Sequence, residues 1–151
     1  MTSGIGGTTY PAGLSSQEWL IIVTTMGLVY TSISLSNPRD PILRAVEVEA
    51  LVDTGATTLC IPEHVTLQLQ LPAIEQREVV TADGKSHLVS YVGPIQVKFE
   101  NRTCFTGALL LGDSVLMGTV PMEDMDLVVQ PREQKVTVNP KSPNIPSAIV
   151  K

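Results

Sequence analysis

The alternation of Val46, Val48 and Ala50 with Glu47 and Glu49 constrains this chain most tightly. Successive side chains of a strand point to opposite faces, so the run can bury one face and wet the other. A helix would scatter the same residues around its circumference. The same period of two runs from Leu28 to Ser36, where Val29, Thr31, Ile33 and Leu35 oppose Tyr30, Ser32, Ser34 and Ser36. Asn37-Pro38-Arg39-Asp40-Pro41 makes a turn-rich break between the two. Further β-prone runs follow at 57–61, 78–82, 87–92, 94–100, 103–111, 115–117, 126–129 and 135–138. Asp83-Gly84 sits between two of them, and this dipeptide suits the positive φ of a tight hairpin turn. Asn101-Arg102 is expected to turn the next pair. Pro62-Glu63 opens a short helix to about Leu69, with Pro in the first turn where no donor is lost. The expected class is all-β with one or two short helices.

The 151 residues suffice for one domain with a real core and not for two comfortable ones. Hydrophobic residues at 43% and charged ones at 17% fit a globular chain, and 4% aromatics leave the core to aliphatic side chains. A net charge of -5 without a basic stripe argues against nucleic acid as a partner. Trp19 to Val23 is far shorter than the ~20 residues of a membrane span. Residues 1–18 carry no Lys or Arg, so the basic start of a secretory signal is missing and the expected compartment is the cytoplasm. Residues 1–25 read as a flexible leader, 26–140 as the folded domain and 141–151 as a Pro-rich tail. Met26 is an alternative start.

Cys60 and Cys104 lie in apolar, strand-like runs and are expected to be buried as reduced thiols; whether they pair is not deducible from sequence. No CxxC or His-rich spacing accompanies them, so neither a metal nor another cofactor is expected. Glu123-Asp124-Asp126 lacks the Gly and the ligand series of a calcium loop and reads as a solvated acidic turn. His64 and His87 read as surface residues.

Asp53 is the candidate for chemistry. Asp-Thr-Gly alone is an ordinary turn. Here the apolar strand Ala50-Leu51-Val52 delivers Asp53 to a buried end, and a second apolar run, Val115-Leu116-Met117, ends in Gly118. Leu51-Val52-Asp53-Thr54-Gly55-Ala56, the Asp83-Gly84 hairpin and Leu116-Met117-Gly118 together resemble a retroviral-type (retropepsin-like) aspartic protease. The stretch from Gly118 to Val129 resembles its bacterial single-domain branch, and the likeness runs from about Met26 to Pro140.

That resemblance implies a single-lobe acid-protease β-barrel in which Asp53 is the catalytic carboxylate. Thr54 would hydrogen-bond across a dimer axis, and Gly55 would permit the tight turn beside the carboxylate. Ala82, Asp83 and Gly84 would form the flap over a bound peptide. Gly118 would lie against the active-site loop where a side chain would clash. Aspartic proteolysis needs two carboxylates sharing a proton, and this chain has one Asp-Thr-Gly. A homodimer with Asp53 from each copy is therefore implied, acting on a peptide or protein substrate.

Two departures from the family pattern stand out. Val120-Pro121 limits the helix after Gly118 to a turn or two, so the family's dimer contacts do not carry over. Ala56 stands where two-lobed enzymes tend to have Ser, removing a hydroxyl donor from the carboxylate. A less acidic activity optimum than theirs is expected. The alternatives are a non-catalytic peptide- or partner-binding module of the same fold, and a structural β-domain whose Asp-Thr-Gly is only a turn.

Overall fold

Strand β1 (Val29–Ser36) closes the molecule on itself because it pairs on both edges. On one side it runs antiparallel to β2 (Val46–Val52), and on the other to the far half of β5 (Ser86–Phe99) through Ser34, Leu35 and Ser36. The computed structural model describes residues 28–150; the expected leader, residues 1–25, lies outside them. From β2 the hydrogen bonding passes to β7 (Val115–Met117), β3 (Leu59–Ile61), β6 (Arg102–Leu110) and β5, completing a six-stranded barrel. Strand β4 (Ala73–Val80) pairs only with β5 and projects as a hairpin arm. A separate two-stranded sheet, β8 (Leu127–Gln130) and β9 (Lys135–Val138), follows α2 (Thr119–Asp124). Helix α1 is Glu63–Gln68. This is the single-lobe retropepsin-like β-barrel with two short helices that the motifs imply.

The period-2 alternation decides which way each strand faces. Ile33, Leu35, Ala50 and Val52 are buried, with Leu59, Ile61, Ile95, Val97 and Met117 from the other strands. Glu47 and Glu49 stay exposed, as the pattern in β2 requires. The barrel interior is thus aliphatic, and burial of such side chains contributes about 25 cal/mol per Å² of apolar surface. Val65 and Leu69 of the α1 segment close one end, where the Asn37 side-chain amide donates to the Leu69 carbonyl at 2.9 Å.

Several boundaries differ from the sequence expectation for physical reasons. Thr57 and Thr58 belong to the loop before β3. Strand β4 begins at Ala73, because an arm exposed on both faces has no hydrophobic alternation to announce it. Arg102 is not in a turn: the turn falls at Glu100-Asn101, and Arg102 begins β6 with 1% exposure. Its guanidinium donates to the Ser142 carbonyl, while Nε and Nη1 are buried without a protein partner.

Asp126 also departs from the solvated turn expected of it. It is half-buried at φ +54°, and its carboxylate gathers the chain that follows β9. Asn139 Nδ2 donates to Oδ1 at 3.0 Å; Ser142 Oγ and the Ser147 amide donate to Oδ2, the latter at 2.9 Å. Asn101 Nδ2 adds a bond to the Pro143 carbonyl at 2.9 Å. The segment 139–147 has no regular structure yet is tied to the barrel.

Candidate active site

Asp53 leaves the end of β2 into a loop held by the chain around Gly118. The Asp53 amide donates to the Met117 carbonyl at 3.1 Å, extending the parallel pairing of β2 with β7 by one residue. The Thr119 and Val120 amides donate to the Ala56 and Thr57 carbonyls, both at 2.9 Å. This close approach is possible because residue 118 is glycine. A Cβ there would stand 2.6 Å from the Thr57 carbonyl carbon and 2.7 Å from Thr58 N and O. Within the loop the Gly55 amide donates to Asp53 Oδ1 at 2.8 Å, and the Ala56 amide to the Asp53 carbonyl at 3.1 Å. A Cβ on Gly55 would sit 3.1 Å from the same Oδ1.

The loop therefore orients the carboxylate with one internal donor and leaves its second oxygen uncommitted among the described residues. Thr54 and Gly55 are exposed. Val120 is 47% exposed on the adjoining α2. Ala56 contributes a methyl group and no donor, so the backbone amide of Gly55 is the carboxylate's hydrogen-bond support within the loop.

A row of side chains crosses the outer face of the sheet beside this loop. Tyr30 opposes Leu51, Leu51 opposes Leu116, Leu116 opposes Cys60, Cys60 opposes Leu109, Leu109 opposes Tyr91, and Tyr91 opposes Glu75. Their sheet neighbours point into the core, yet five of the seven are half-buried and Tyr30 and Glu75 are exposed. Cys60 lies close enough to Asp53 for that carboxylate to add to the burial that raises its thiol pKa. The expectation of a fully buried thiol holds for Cys104 but not for Cys60, because Cys60 takes the outer position of its short strand.

Between the aspartate loop and the projecting arm lies a cleft of about 370 Å³, bounded by Ala56, Thr57, Thr58, Cys60, Leu109 and the β4 residues from Arg77 to Val80. A larger cleft of about 500 Å³ at the β1–β2 turn is bounded by residues such as Asn37, Ile42 and Arg44. Its lining has no carboxylate, histidine or thiol. The smaller cleft is the one joined to the candidate chemistry.

The tip of the arm holds Ala82, Asp83 and Gly84. Gly84 has φ +83°, the left-handed conformation that makes Asp-Gly a favoured turn. Its amide donates to the Thr81 carbonyl at 2.9 Å, and the Thr81 amide to the Lys85 carbonyl at 3.0 Å. Asp83 accepts from Thr81 Oγ1 and the Lys85 amide, and these bonds hold its carboxyl below the usual range. Asp53, Thr54, Gly55, Ala56 and Gly118 come together in one cluster. Ala82, Asp83 and Gly84 stand apart from it, and the wall facing the aspartate loop is strand β4.

Sequence reasoning passed over two groups here. One is Cys60 in the cleft. The other is a stack in which the Arg77 guanidinium lies 3.6 Å from the centroid of the Tyr91 ring. That ring packs against Gly107, where a Cβ would meet it at 2.2 Å. The Gly107 amide donates to the Tyr91 hydroxyl at 3.2 Å. Gly107 inside a strand was the available signal, since such glycines mark close approach.

The sequence profile of the aspartyl protease family matches residues 43–139, well over half of the chain. The protein belongs to the aspartyl protease family. No curated protein matches it. Among the described residues no helix is long and apolar enough to cross a membrane.

Proposed function

We propose that the protein is a homodimeric aspartic endopeptidase in which each subunit supplies one Asp53. The observation that supports this best is the loop itself. It presents a carboxylate oriented by the Gly55 amide, on an exposed turn fastened from behind by Met117–Val120. The chain contains this loop once, so the second carboxylate comes from a second copy across a two-fold axis. Thr54 Oγ1 has no hydrogen-bond partner among the described residues and is exposed beside Asp53, as a residue reserved for the opposite loop would be.

In such a dimer the two carboxylates share one proton, because like charges side by side do not both ionise. One takes a proton from water as its oxygen adds to the peptide carbonyl carbon. The other gives its proton to the carbonyl oxygen. The resulting gem-diol collapses, the C–N bond breaks, and the amine nitrogen is protonated as it leaves. The β4–β5 arm would cover the peptide and exclude bulk water, with Ala82, Asp83 and Gly84 at its tip.

The test is cleavage of an unstructured protein by wild type and by Asp53→Asn, with the dimer measured by sedimentation. Loss of cleavage with the dimer intact supports the enzyme. A wild-type dimer that binds peptides without cleaving them favours the binding module of the same fold.

A further inference from the structure

We propose that Arg77 selects substrate peptides carrying an acidic side chain, receiving that carboxylate in the cleft between β4 and the Asp53 loop. The proposal rests on the peptide-binding use of this cleft and names the chemistry it prefers.

Arg77 bounds the cleft opposite Ala56, Thr57 and Thr58. Strand register puts it on the same face as the outer row: Arg77 opposes Val89, two residues from Tyr91, while Glu78 opposes Leu88 on the other face. Glu78 also bounds the cleft, but by register its side chain belongs to the opposite face of the arm from Arg77. The ionisable side chains sharing that face of the arm are Glu75, Arg77, His87 and Tyr91.

The guanidinium is held rather than free. It stacks on Tyr91, whose ring packs against Gly107 and whose hydroxyl takes the Gly107 amide. Its one hydrogen bond among the described residues runs from Nε to Glu75 Oε2 at 3.1 Å. Both η nitrogens thus keep their donors, in the planar fork that matches a carboxylate. Stacking also removes much of the side-chain freedom that an incoming carboxylate would otherwise have to freeze.

Position in the peptide follows from the cleft's composition. It contains Ala56 to Thr58 but not Asp53, so the acidic residue falls to one side of the cleaved bond. The Arg77 side chain is 42% exposed, and Glu75 already offsets part of its charge. The preference is therefore modest, about twofold to fivefold, and weakens as salt rises.

The experiment uses fluorescent octapeptide pairs with an apolar central pair, Glu or Gln being placed at each flanking position in turn. Affinity is measured on the Asp53→Asn dimer, which binds without cleaving, and cleavage on the wild-type dimer. The readout is the Glu-to-Gln ratio within each variant, so a general loss of binding cancels. A ratio of about two to five at one position is expected. Arg77→Gln should bring it to one. Arg77→Lys, which keeps the charge but not the planar stack, should lose most of it. Glu75→Gln should raise it. Equal affinity at every position, no binding of any peptide, or a ratio unchanged in Arg77→Gln overturns the proposal. A Glu preference in the Asp53→Asn dimer, with no cleavage by wild type, overturns the protease and leaves the Arg77 assignment standing. Cleavage without a Glu preference does the reverse.

Discussion

Asp53 follows an apolar strand and Asp126 precedes one, and the chain treats the two in opposite ways. Asp126 accepts three donors, from Asn139, Ser142 and the Ser147 amide. Those bonds, with Arg102 nearby, hold its carboxyl down to about 2. Asp53 accepts one donor, from Gly55, and is half-buried beside the exposed Thr54 and Gly55. A carboxylate with both oxygens engaged fastens the chain. One held from a single side can be oriented and still take up a proton or a water. On the proposed function, the number of donors, more than the sequence around each aspartate, separates the fastening Asp126 from the catalytic Asp53.

The largest expected effect breaks the comparison at its active end. Asp53→Asn should reduce cleavage by on the order of 10⁴-fold, the scale seen when a catalytic carboxylate is removed. Melting temperature and dimer should stay intact. Asp126→Asn should do the opposite, lowering the melting temperature while leaving the cleavage chemistry in place. If both substitutions reduce cleavage equally at a temperature where both proteins are folded, the contrast between the two aspartates is wrong.

Gly118→Ala should come next. Its Cβ would meet backbone at 2.6–2.7 Å, which no rotamer change relieves. A destabilisation of about 2 kcal/mol by denaturant titration is expected, with cleavage lost beyond what unfolding explains as the Asp53 loop shifts. Gly107→Ala should cost less, because the atoms it meets belong to the Tyr91 ring, which can swing aside.

Acid sharpens the comparison. The Asp126 carboxyl titrates lower in the folded protein than its unfolded value of about 3.9. Its contribution to stability is therefore complete above pH ~4 and lost as pH falls towards ~2. Hydrogen exchange should show the segment 139–147 losing protection across that window. Asp126→Asn should abolish that pH dependence.

The smallest effect concerns the thiols. Burial, with a hydrogen bond from Cys104 to Asp124, pushes the Cys104 thiol up to about 12. Cys60 is half-buried in the cleft. At pH 8 iodoacetamide should label Cys60 first, and a bound peptide should slow that labelling without affecting Cys104. Mass spectrometry of the labelled peptides gives the order.

What the sequence made legible was whatever obeys a local rule. Alternation announced β1 and β2, Asp-Gly announced the arm's turn, and the apolar run into Asp53 announced the loop. Gly118 was legible because a glycine ending an apolar run implies close approach to something. Residues whose roles depend on long-range register were hidden. Arg77 and Tyr91 meet only because β4 and β5 pair as they do, and Gly107 matters only because β6 brings it under the ring. Arg102 looked like a turn residue because a charged side chain beside Asn gives no hint of burial beneath a segment some forty residues on. Asp126 was masked by its acidic neighbours, since its partners lie 13 to 21 residues downstream.

The central claim is that one chain carries half an active site. It is tested most directly by forming mixed dimers of wild type and Asp53→Asn, co-refolded at a series of ratios, and measuring cleavage per total protein. If both carboxylates are required, activity follows the square of the wild-type fraction, so an equal mixture gives about a quarter of the wild-type rate. A linear fall to about half would contradict it, because each Asp53 would then act alone.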